Sequence, residues 1–447
     1  MVKIKIFDTF EGKIKEFKPI KEGEVSIYYC GPTVYDYGHL GNFKVPVFFD
    51  LVHRFFKAVG YKVKMVSNYT DIDDKIIKKA TSTNKTEKEV SEFYIKDYEN
   101  NLNLLNVLPL YNNPKVSNYM NDIIEFIDLS LKKDASYKSG EDIYFDVSKI
   151  DDYGSLSKMN IEELDAGKRI SVSEKKHSPF DFALWKMTDD QGIKFDAPFG
   201  RGRPGWHTEC LVMINKIFNS PLIDIHGGGF DLKFPHHENE RAQSKAVYNS
   251  NLANYWMHVG FMNFEDTKMS KSLGNVIAMR DLLKELNPDV FRLFILKANY
   301  RAPLSFSQEA IDTTKREVEK YRSVKKSLNL YLATNKLNDK VGTLIESYYD
   351  SFIDALANDF NVANGLTAFD SLVKNINTSI RQKDNKSILD LKFTFDKIND
   401  ILGLRLKTAE ISEEILSIYS KYEEARNNKD YELSDIYRKK LIESDVL

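Results

Sequence analysis

The stretch YYCGPTVYDYGHLGN, residues 28–42, joins a β-prone run to an amphipathic helix through a glycine-containing turn. Ser26–Tyr29 favours a strand, a Gly-Pro pair ends it, and Asn42 is expected to cap a helix over Phe43–Val59. The start of a helix offers unpaired N–H groups and the positive end of the helix dipole to an anion, and His39 lies at this start. The stretch therefore predicts either a phosphate-binding turn or a purely structural connection between strand and helix.

The whole chain has the composition of a globular protein with little net charge. It contains 447 residues, 42% of them hydrophobic, with 64 basic and 66 acidic residues and a formal charge of −2. This length predicts two to four domains, and the balanced charge neither requires nor excludes a nucleic-acid partner. The sequence offers neither the roughly 18 apolar residues of a membrane span nor the apolar core of a signal peptide. We therefore expect a cytoplasmic protein without a membrane partner.

The two cysteines, Cys30 and Cys210, are too few for a disulfide framework. Each is either an inert buried thiol or a ligand or nucleophile. The segment IHGGGFDLKFPHHENE, residues 225–240, contributes His236 and Glu240, which stand four residues apart on one face of an expected helix. Two thiolates, an imidazole and a carboxylate make a suitable tetrahedral Zn²⁺ site. The alternative for the His–Glu pair is an ordinary hydrogen bond on the helix surface.

Two further features predict contacts with a phosphorylated ligand. Lys268 and Lys271 lie in the loop KMSKSLGN, residues 268–275, where lysine can act as a mobile point charge. Taken alone, such a loop is more often solvated surface. Upstream, a triple glycine that includes Gly228 lets the backbone approach a ligand, and Asp231 can accept a hydrogen bond from a ribose hydroxyl or a substrate amine.

Together these motifs resemble those of the cysteinyl-tRNA synthetase family, a class I aminoacyl-tRNA synthetase family, over most of the chain. His39-Leu40-Gly41-Asn42 stands at the place of the HIGH signature, and residues 268–272 form a complete KMSKS signature. Other stretches typical of the cysteine-specific family are YCGPTVYD (29–36), TDIDDK (70–75), GRPGWH (202–207) and FPHHENE (234–240). One position departs from the family, because Asn42 replaces the second histidine of HIGH. We interpret the change as tolerated, since an amide can still donate to a phosphate oxygen.

The resemblance implies an α/β fold class, namely a Rossmann-type parallel-sheet catalytic domain with an inserted connective segment, then an α-helical bundle and a small anticodon-binding module. Lys62–Asn68 alternates as a strand and would complete a βαβ unit. The expected divisions are residues 1–113 (first Rossmann half), 114–201 (connective insertion), 202–265 (second half with the zinc site), 266–310 (KMSKS loop and stem-contact region), 311–405 (helical bundle) and 406–447 (anticodon-binding module). Similar proteins continue past the position of Leu447 with an acidic, aromatic and basic tail, so we expect the last module to be incomplete.

The resemblance also implies the substrates: L-cysteine, ATP accompanied by Mg²⁺, and the tRNA for cysteine. His39, Gly41 and Asn42 would hold the ATP phosphates from one side, and Lys268 and Lys271 from the other. The cysteine carboxylate would attack the α-phosphate, and a terminal ribose hydroxyl of tRNA would then displace AMP. Thr70 and Trp206 are the expected contacts to the amino acid, with Trp206 closing over it.

One Zn²⁺ per chain, held by Cys30, Cys210, His236 and Glu240, would select cysteine over serine. A coordinated thiol loses its proton, whereas a hydroxyl ionises far less readily and is a harder ligand. Because four protein ligands already fill a tetrahedral site, we expect the substrate thiolate to add a fifth bond or to loosen Glu240.

Two features of the C-terminal half predict contacts with tRNA. An expected helix over Gln308–Leu332 carries a cluster of cations that suits a phosphate backbone or, equally, a solvated face paired with Glu317 and Glu319; its members are Lys315, Arg316, Lys320, Arg322, Lys325 and Lys326. The resemblance implies that Arg426 and Asp435 read anticodon bases.

Three other functions fit part of the sequence. A ligase of the same catalytic family that joins cysteine to a small amine would need neither the basic helix nor the anticodon-like segment. A zinc hydrolase built on the His-His-Glu-Asn-Glu helix would leave His39 and the KMSKS loop without a role. A nucleic-acid binding module without catalysis would lack adenylate chemistry. We expect a monomeric enzyme.

Overall fold

The computed structural model describes residues 2–159, 176–188, 190–264, 267–268, 277–338 and 342–447. The chain forms two compact units. The first contains Lys3–Lys284 and Tyr300–Ser305, and the second contains Glu285–Asn299 and Phe306–Leu447. The division therefore falls inside the stretch 266–310, which the sequence had suggested to be one region.

The first unit contains the sheets. Its strands are β1 (Lys5–Asp8), β2 (Lys13–Glu16), β3 (Glu24–Tyr29), β4 (Lys62–Ser67), β5 (Ser136–Ser139), β6 (Asp142–Phe145), β7 (Phe182–Met187), β8 (Gly202–Pro204), β9 (Leu222–Gly229), β10 (Leu252–Val259), β11 (Met262–Phe264) and β12 (Thr267–Lys268), with β13 (Leu304–Phe306) beginning in it. The central sheet has the order β10-β9-β3-β4, and each neighbouring pair in it is parallel. This sheet confirms the predicted Rossmann-type class.

The helices of the first unit connect these strands. They are α1 (Lys44–Ala58), α2 (Asp74–Thr83), α3 (Glu87–Leu104), α4 (Met120–Lys132), α5 (Glu209–Phe218), α6 (His236–Tyr248) and α7 (Met279–Glu285), with short 3₁₀ turns at Leu40–Phe43, Val116–Tyr119, Val147–Lys149 and Phe230–Lys233. Helix α1 joins the parallel strands β3 and β4, which is the predicted βαβ unit. Its apolar face is fully buried through Val47, Leu51 and Phe55, so the sheet is covered on that side.

The start of α1 differs from the expectation. A 3₁₀ turn precedes the helix, and the residue that caps α1 is Phe43, without a side-chain hydrogen bond. Asn42 therefore does not cap the long helix. Its side-chain oxygen instead accepts a hydrogen bond from the backbone N–H of His39 at 2.9 Å, which closes the 3₁₀ turn. The asparagine shapes the turn that precedes the helix.

In chain order, the strands of an antiparallel sheet come between β4 and β9 of the parallel sheet. Strands β5, β6, β7 and β8 pair in this order, each antiparallel to its neighbour, and Trp185 and Phe145 are fully buried among them. This sheet extends to Pro204, past the expected end of the insertion at residue 201. A smaller sheet has the order β12-β11-β13.

The second unit is helical, as predicted. Its helices are α8 (Pro288–Leu296), α9 (Gln308–Thr334), α10 (Glu346–Ala357), α11 (Val362–Gln382), α12 (Asn385–Leu402), α13 (Glu413–Asn427) and α14 (Tyr431–Glu443). Phe352, Phe369 and Phe395 are fully buried between α10, α11 and α12, with the rings of Phe369 and Phe395 stacked at 4.9 Å. Within the described ranges, the helices of both units are too short or too polar to cross a bilayer.

Candidate active site

A cavity of about 400 Å³ opens at the carboxyl ends of the parallel strands. Open α/β sheets bind ligands at this edge, because the loops that follow neighbouring strands meet there. Cys30 directly follows β3, Asp231 follows β9 and Gly260 follows β10, and all three line the cavity. The turn before α1 contributes His39, Gly41 and Asn42 to the lining.

The four predicted metal ligands come together in a buried cluster beside this cavity. Their candidate ligand atoms all lie within 4.8 Å of one another. The sulfur atoms of Cys30 and Cys210 are 3.5 Å apart, and Nε2 of His236 lies 2.9 Å from Oε1 of Glu240. Two sulfurs, an imidazole and a carboxylate at these separations suit a tetrahedral cation of the size of Zn²⁺.

Local structure explains why these residues meet. The backbone N–H of Cys30 donates to the carbonyl of Gly227 at 3.0 Å, which extends the pairing of β3 with β9 by one residue. Cys210 lies in the first turn of α5, while His236 and Glu240 occupy successive turns of α6. The parallel sheet thus brings two helix starts and one strand end to a single point.

Burial and neighbouring charges set the protonation of the cluster. Burial raises the pKa of the Cys30 thiol. For Cys210, burial opposes ionisation, but the hydrogen bond from Cys30 and the contact with His236 outweigh it and lower the pKa to about 7. Burial opposes charge on His236 too, yet the carboxylate of Glu240 raises its pKa to about 10. The pKa of Glu240 falls well below its usual range, despite burial, because of His236 and His226. Positive charge on His236 therefore balances negative charge on Glu240 within the cluster.

Further histidines surround the cluster, and the sequence analysis had not assigned them. Nε2 of His226 lies 2.6 Å from Oε2 of Glu240, and Nε2 of His237 lies 3.3 Å from the sulfur of Cys30. Nδ1 of His237 in turn contacts Nε2 of His258 at 2.8 Å. Cys30, His226, His237 and Glu240 form a second group with ligand spacing. The signal in the sequence was the number of histidines, since most of the eight lie in segments that reach this cluster.

Trp206 lies at the wall of the cavity. Its ring stacks on that of His236 at 4.4 Å, it remains 41% exposed, and it lines the cavity. Thr70 differs: it is buried, and its hydroxyl donates to Oε2 of Glu209 at 3.2 Å. Thr70 is not among the described residues that line the cavity.

The glycines of β9 have different roles. A Cβ at Gly228 would lie 2.9 Å from the side chain of Leu232 and 3.2 Å from the ring of His237. The lack of a side chain at Gly228 therefore makes room for His237, and it is Gly229 that lines the cavity together with Asp231. A ligand contact at Gly228 stays a prediction.

The turn before α1 is tied to the two segments that flank residues 269–276. Before them, the ammonium group of Lys44 donates to the carbonyl of Gly260 at 2.8 Å. After them, Leu40 N–H donates to Ile277 O at 3.1 Å, and Met279 N–H donates to Gly38 O at 2.9 Å. The chain before and after residues 269–276 is therefore held to the start of α1 and to the turn that precedes it.

The two predicted lysines of that segment are only partly described. Lys268 lies in β12, where its backbone pairs with Asn263 of β11. Lys271 lies outside the described residues, as does most of the KMSKS loop.

In the second unit, the predicted tRNA contacts are exposed or paired. Arg426 forms an ion pair with Glu423 at 2.8 Å, and Asp435 is exposed on α14. Most of the cations on α9 have partners: Lys315 with Asp312, Lys320 with Asp370, Arg322 with Glu319 and Asp445, Lys325 with the carbonyl of Arg405, and Lys326 with Asp445. These pairings favour a compensated surface on this helix, and phosphate binding there stays a prediction.

Comparison with known proteins identifies relatives of this chain. The family model described as tRNA synthetases class I (C) catalytic domain matches residues 16–316, and the DALR domain model matches residues 351–407. The cysteine--tRNA ligase of Acholeplasma laidlawii (strain PG-8A) is 41% identical over 449 residues, which cover 99% of this chain and 100% of that protein. The cysteine--tRNA ligase of Staphylococcus aureus (strain MRSA252) is 39% identical over 453 residues, which cover 99% and 97% respectively.

Solved structures show the same fold at low identity. Mycobacterium tuberculosis methionyl-tRNA synthetase in complex with methionyl-adenylate matches with a TM-score of 0.63 and 14% identity, covering 85% of this chain and 89% of that one. The Agrobacterium radiobacter LeuRS in its ternary complex matches with a TM-score of 0.60 and 10% identity, covering 87% and 85%.

Proposed function

The chain belongs to the cysteine--tRNA ligase family of class I aminoacyl-tRNA synthetases, and we propose that it performs the reaction of this family. ATP activates L-cysteine as cysteinyl-adenylate, and the cysteinyl group is then transferred to the 3′-terminal adenosine of the tRNA for cysteine. The observation that supports this function best is the one cavity shared by Cys30 and His39. A group that recognises a thiol and a turn that binds phosphate must lie together for this reaction.

Cys30, Cys210, His236 and Glu240 are proposed to hold one Zn²⁺ per chain. The fit rests on the donor set, which combines two thiols, an imidazole and a carboxylate in a fully buried cluster. When bound, the ion would supply a Lewis acid that favours a thiolate over the hydroxyl of serine. His226 would hold the free oxygen of Glu240 in place through their 2.6 Å contact, as partners behind a metal ligand commonly do.

The residues of the turn before α1 act on ATP by position. The N–H groups of this turn and the side chain of His39 would bind phosphate oxygens, and Lys268, Lys271 and Mg²⁺ would supply positive charge to the same phosphates. The cysteine carboxylate then attacks the α-phosphate without a protein nucleophile, so the rate depends on alignment and on stabilising the charge of pyrophosphate. Asp231 at the cavity wall is suited to accept from the ribose or from the substrate amine.

The amino-acid side chain is enclosed from the direction of Trp206. Because the Trp206 ring stacks on His236, it can exclude water from the bound cysteine without displacing His236 from the metal site. Thr70 acts indirectly, through its bond to Glu209 at the start of α5.

We place the enzyme in the cytoplasm as a monomer, with Arg426 and Asp435 reading the anticodon from a module over residues 406–447. The helical stretch 311–405 connects this module to the catalytic residues.

Two assays test the function. The first measures cysteine-dependent exchange of labelled pyrophosphate into ATP without tRNA, with serine as the matched control substrate. The second measures charging of the cysteine tRNA. Exchange with cysteine followed by charging supports the proposal. Exchange without charging would indicate a ligase that joins cysteine to a small amine, and no exchange by metal-loaded protein would refute both ligase activities.

A further inference from the structure

Four aromatic rings and four cations form one surface at the mouth of the cavity, which we call the aromatic–cation surface. Its members are Tyr35, Tyr37, Phe93, Tyr94, Lys75, Lys79, Lys85 and Arg280. Three of the rings touch one another: Tyr37 and Tyr94 at 5.2 Å, Phe93 and Tyr94 at 5.1 Å, and Tyr37 and Phe93 at 6.0 Å between centroids. They come from the loop after β3 and from α3, which pack side by side.

Each of the four cations lies over a ring of this surface. The guanidinium of Arg280 is 3.6 Å from the centroid of Tyr37. The lysine ammonium groups lie farther out, at 5.3 Å for Lys75 over Tyr35, 5.7 Å for Lys79 over Tyr94 and 5.5 Å for Lys85 over Phe93. Rings and positive charges therefore alternate across the surface, which is the arrangement that binds stacked bases and the phosphates between them.

The surface is open, and Lys75 and Lys85 leave part of its positive charge uncompensated. Phe93 is 49% exposed, which is unusual for so large an apolar ring. Lys75 and Lys85 are also exposed, and neither pairs with a carboxylate of the described part of the chain. Nearby acids are engaged elsewhere, since Asp74 pairs with Arg203 and Glu92 with Lys115. The other two cations have partners, Lys79 with Asp36 at 3.8 Å and Arg280 with Asp281 at 3.6 Å.

The surface is continuous with the candidate active site. Tyr35, Tyr37, Tyr94 and Lys75 line the same cavity as Cys30. In the second step of the proposed reaction, the terminal ribose of tRNA must reach the activated cysteine inside this cavity. The unpaired nucleotides just before that ribose must therefore cross its mouth.

We propose that the aromatic–cation surface binds the unpaired 3′ end of the tRNA, with bases stacked on Phe93 and its neighbouring rings and phosphates held by the lysines. This inference rests on the proposed function, because it requires a tRNA substrate. Stacking on rings is tolerant of sequence, which suits an end that positions the ribose and does not need to be read.

The test uses the double variant Phe93→Ala/Lys85→Ala, since neither side chain lines the cavity. Dissociation constants are measured for the intact cysteine tRNA and for the same tRNA trimmed of its unpaired 3′ nucleotides. We expect affinity for the intact tRNA to fall about tenfold and affinity for the trimmed tRNA to change by less than about twofold. Two single variants serve as matched controls. Lys88→Ala removes an exposed charge from α3, the helix that carries Phe93, and Tyr111→Ala removes a ring that is 58% exposed and lies outside the aromatic–cation surface.

Each remaining outcome overturns the inference. Equal weakening for both RNAs would place the contact on another part of the tRNA, and unchanged affinity for both would remove the surface from tRNA binding. Cysteine-dependent pyrophosphate exchange by the same variants separates this inference from the proposed function. If the parent protein itself shows no exchange, it is the function that fails.

Discussion

The side-chain oxygen of Asn42 accepts a hydrogen bond from the backbone N–H of His39 at 2.9 Å. The Asn42 backbone N–H donates in the opposite direction to the carbonyl of His39 at 2.8 Å, so the two residues close one tight turn. Both line the cavity. Asn42, which departs from the HIGH signature, therefore holds in place His39, which matches that signature.

Replacing Asn42 by Ala should loosen this turn. Loss of one exposed hydrogen bond is worth about 1 kcal/mol, so we expect the KM for ATP in pyrophosphate exchange to rise about fivefold. Asn42→Asp is the matched control, because a carboxylate keeps the acceptor to His39 but repels phosphate. If Asn42→Ala binds ATP like the parent while Asn42→Asp does not, the hydrogen bond to His39 is not needed for ATP binding and only an added negative charge at this position is harmful.

The metal is expected to depend on Cys210 and not on His237. Two groups of residues have the spacing of metal ligands, and both contain Cys30 and Glu240. The first group adds Cys210 and His236, and the second adds His226 and His237. We expect Cys210→Ser to lower bound zinc below about a tenth of an ion per chain, whereas His237→Gln retains it. Elemental analysis of the purified proteins measures this directly. The reverse result would assign the metal to the histidine-rich group.

Removal of the Trp206 ring should weaken cysteine binding without loss of the metal. The ring stacks on His236 but provides no ligand atom, so Trp206→Ala should raise the KM for cysteine about tenfold at unchanged zinc content, with Trp206→Phe close to the parent. Exchange kinetics at varied cysteine concentration, with elemental analysis alongside, check this. Zinc loss in Trp206→Ala would show that the ring serves the metal cluster itself.

Lys44 should make stability rise with pH in the alkaline range. Burial lowers its pKa to about 8, and its ammonium group donates to the carbonyls of Gly260, Phe261 and Ala302. A lysine in the unfolded chain titrates near about 10.4, so between these values the unfolded state binds more protons and the free energy of unfolding increases with pH.

Comparison of the parent with Lys44→Met isolates this effect. Denaturant unfolding at several values between about pH 7.5 and 10 should show the stability of the parent rising relative to the variant. Parallel curves would mean that Lys44 keeps its ordinary pKa. Lys44→Arg serves as the control, because its guanidinium stays charged throughout and should show no such rise relative to Lys44→Met.

Much of the site could be predicted because it depends on residue chemistry and short spacing. His236 and Glu240 are one helical turn apart, so their meeting follows from local geometry. The two cysteines could be added because the chain offers only these thiols. His226, His237 and His258 were not assigned, since nothing local distinguishes a histidine that points toward a buried cluster from one that does not.

Several elements and their chemical content follow from local sequence patterns alone: the strand and turn at residues 28–42, the helical second unit and the four candidate ligands. These depend on the periodicity of side chains and on turn residues, which act over a few positions. Tertiary structure decided which distant segments meet. Only the parallel pairing of β3 with β9 brings Cys30 to within 3.5 Å of Cys210, and only packing of the loop after β3 against α3 assembles the aromatic–cation surface. Such contacts join residues far apart in the chain, and their energy comes from burial and pairing that no local pattern encodes.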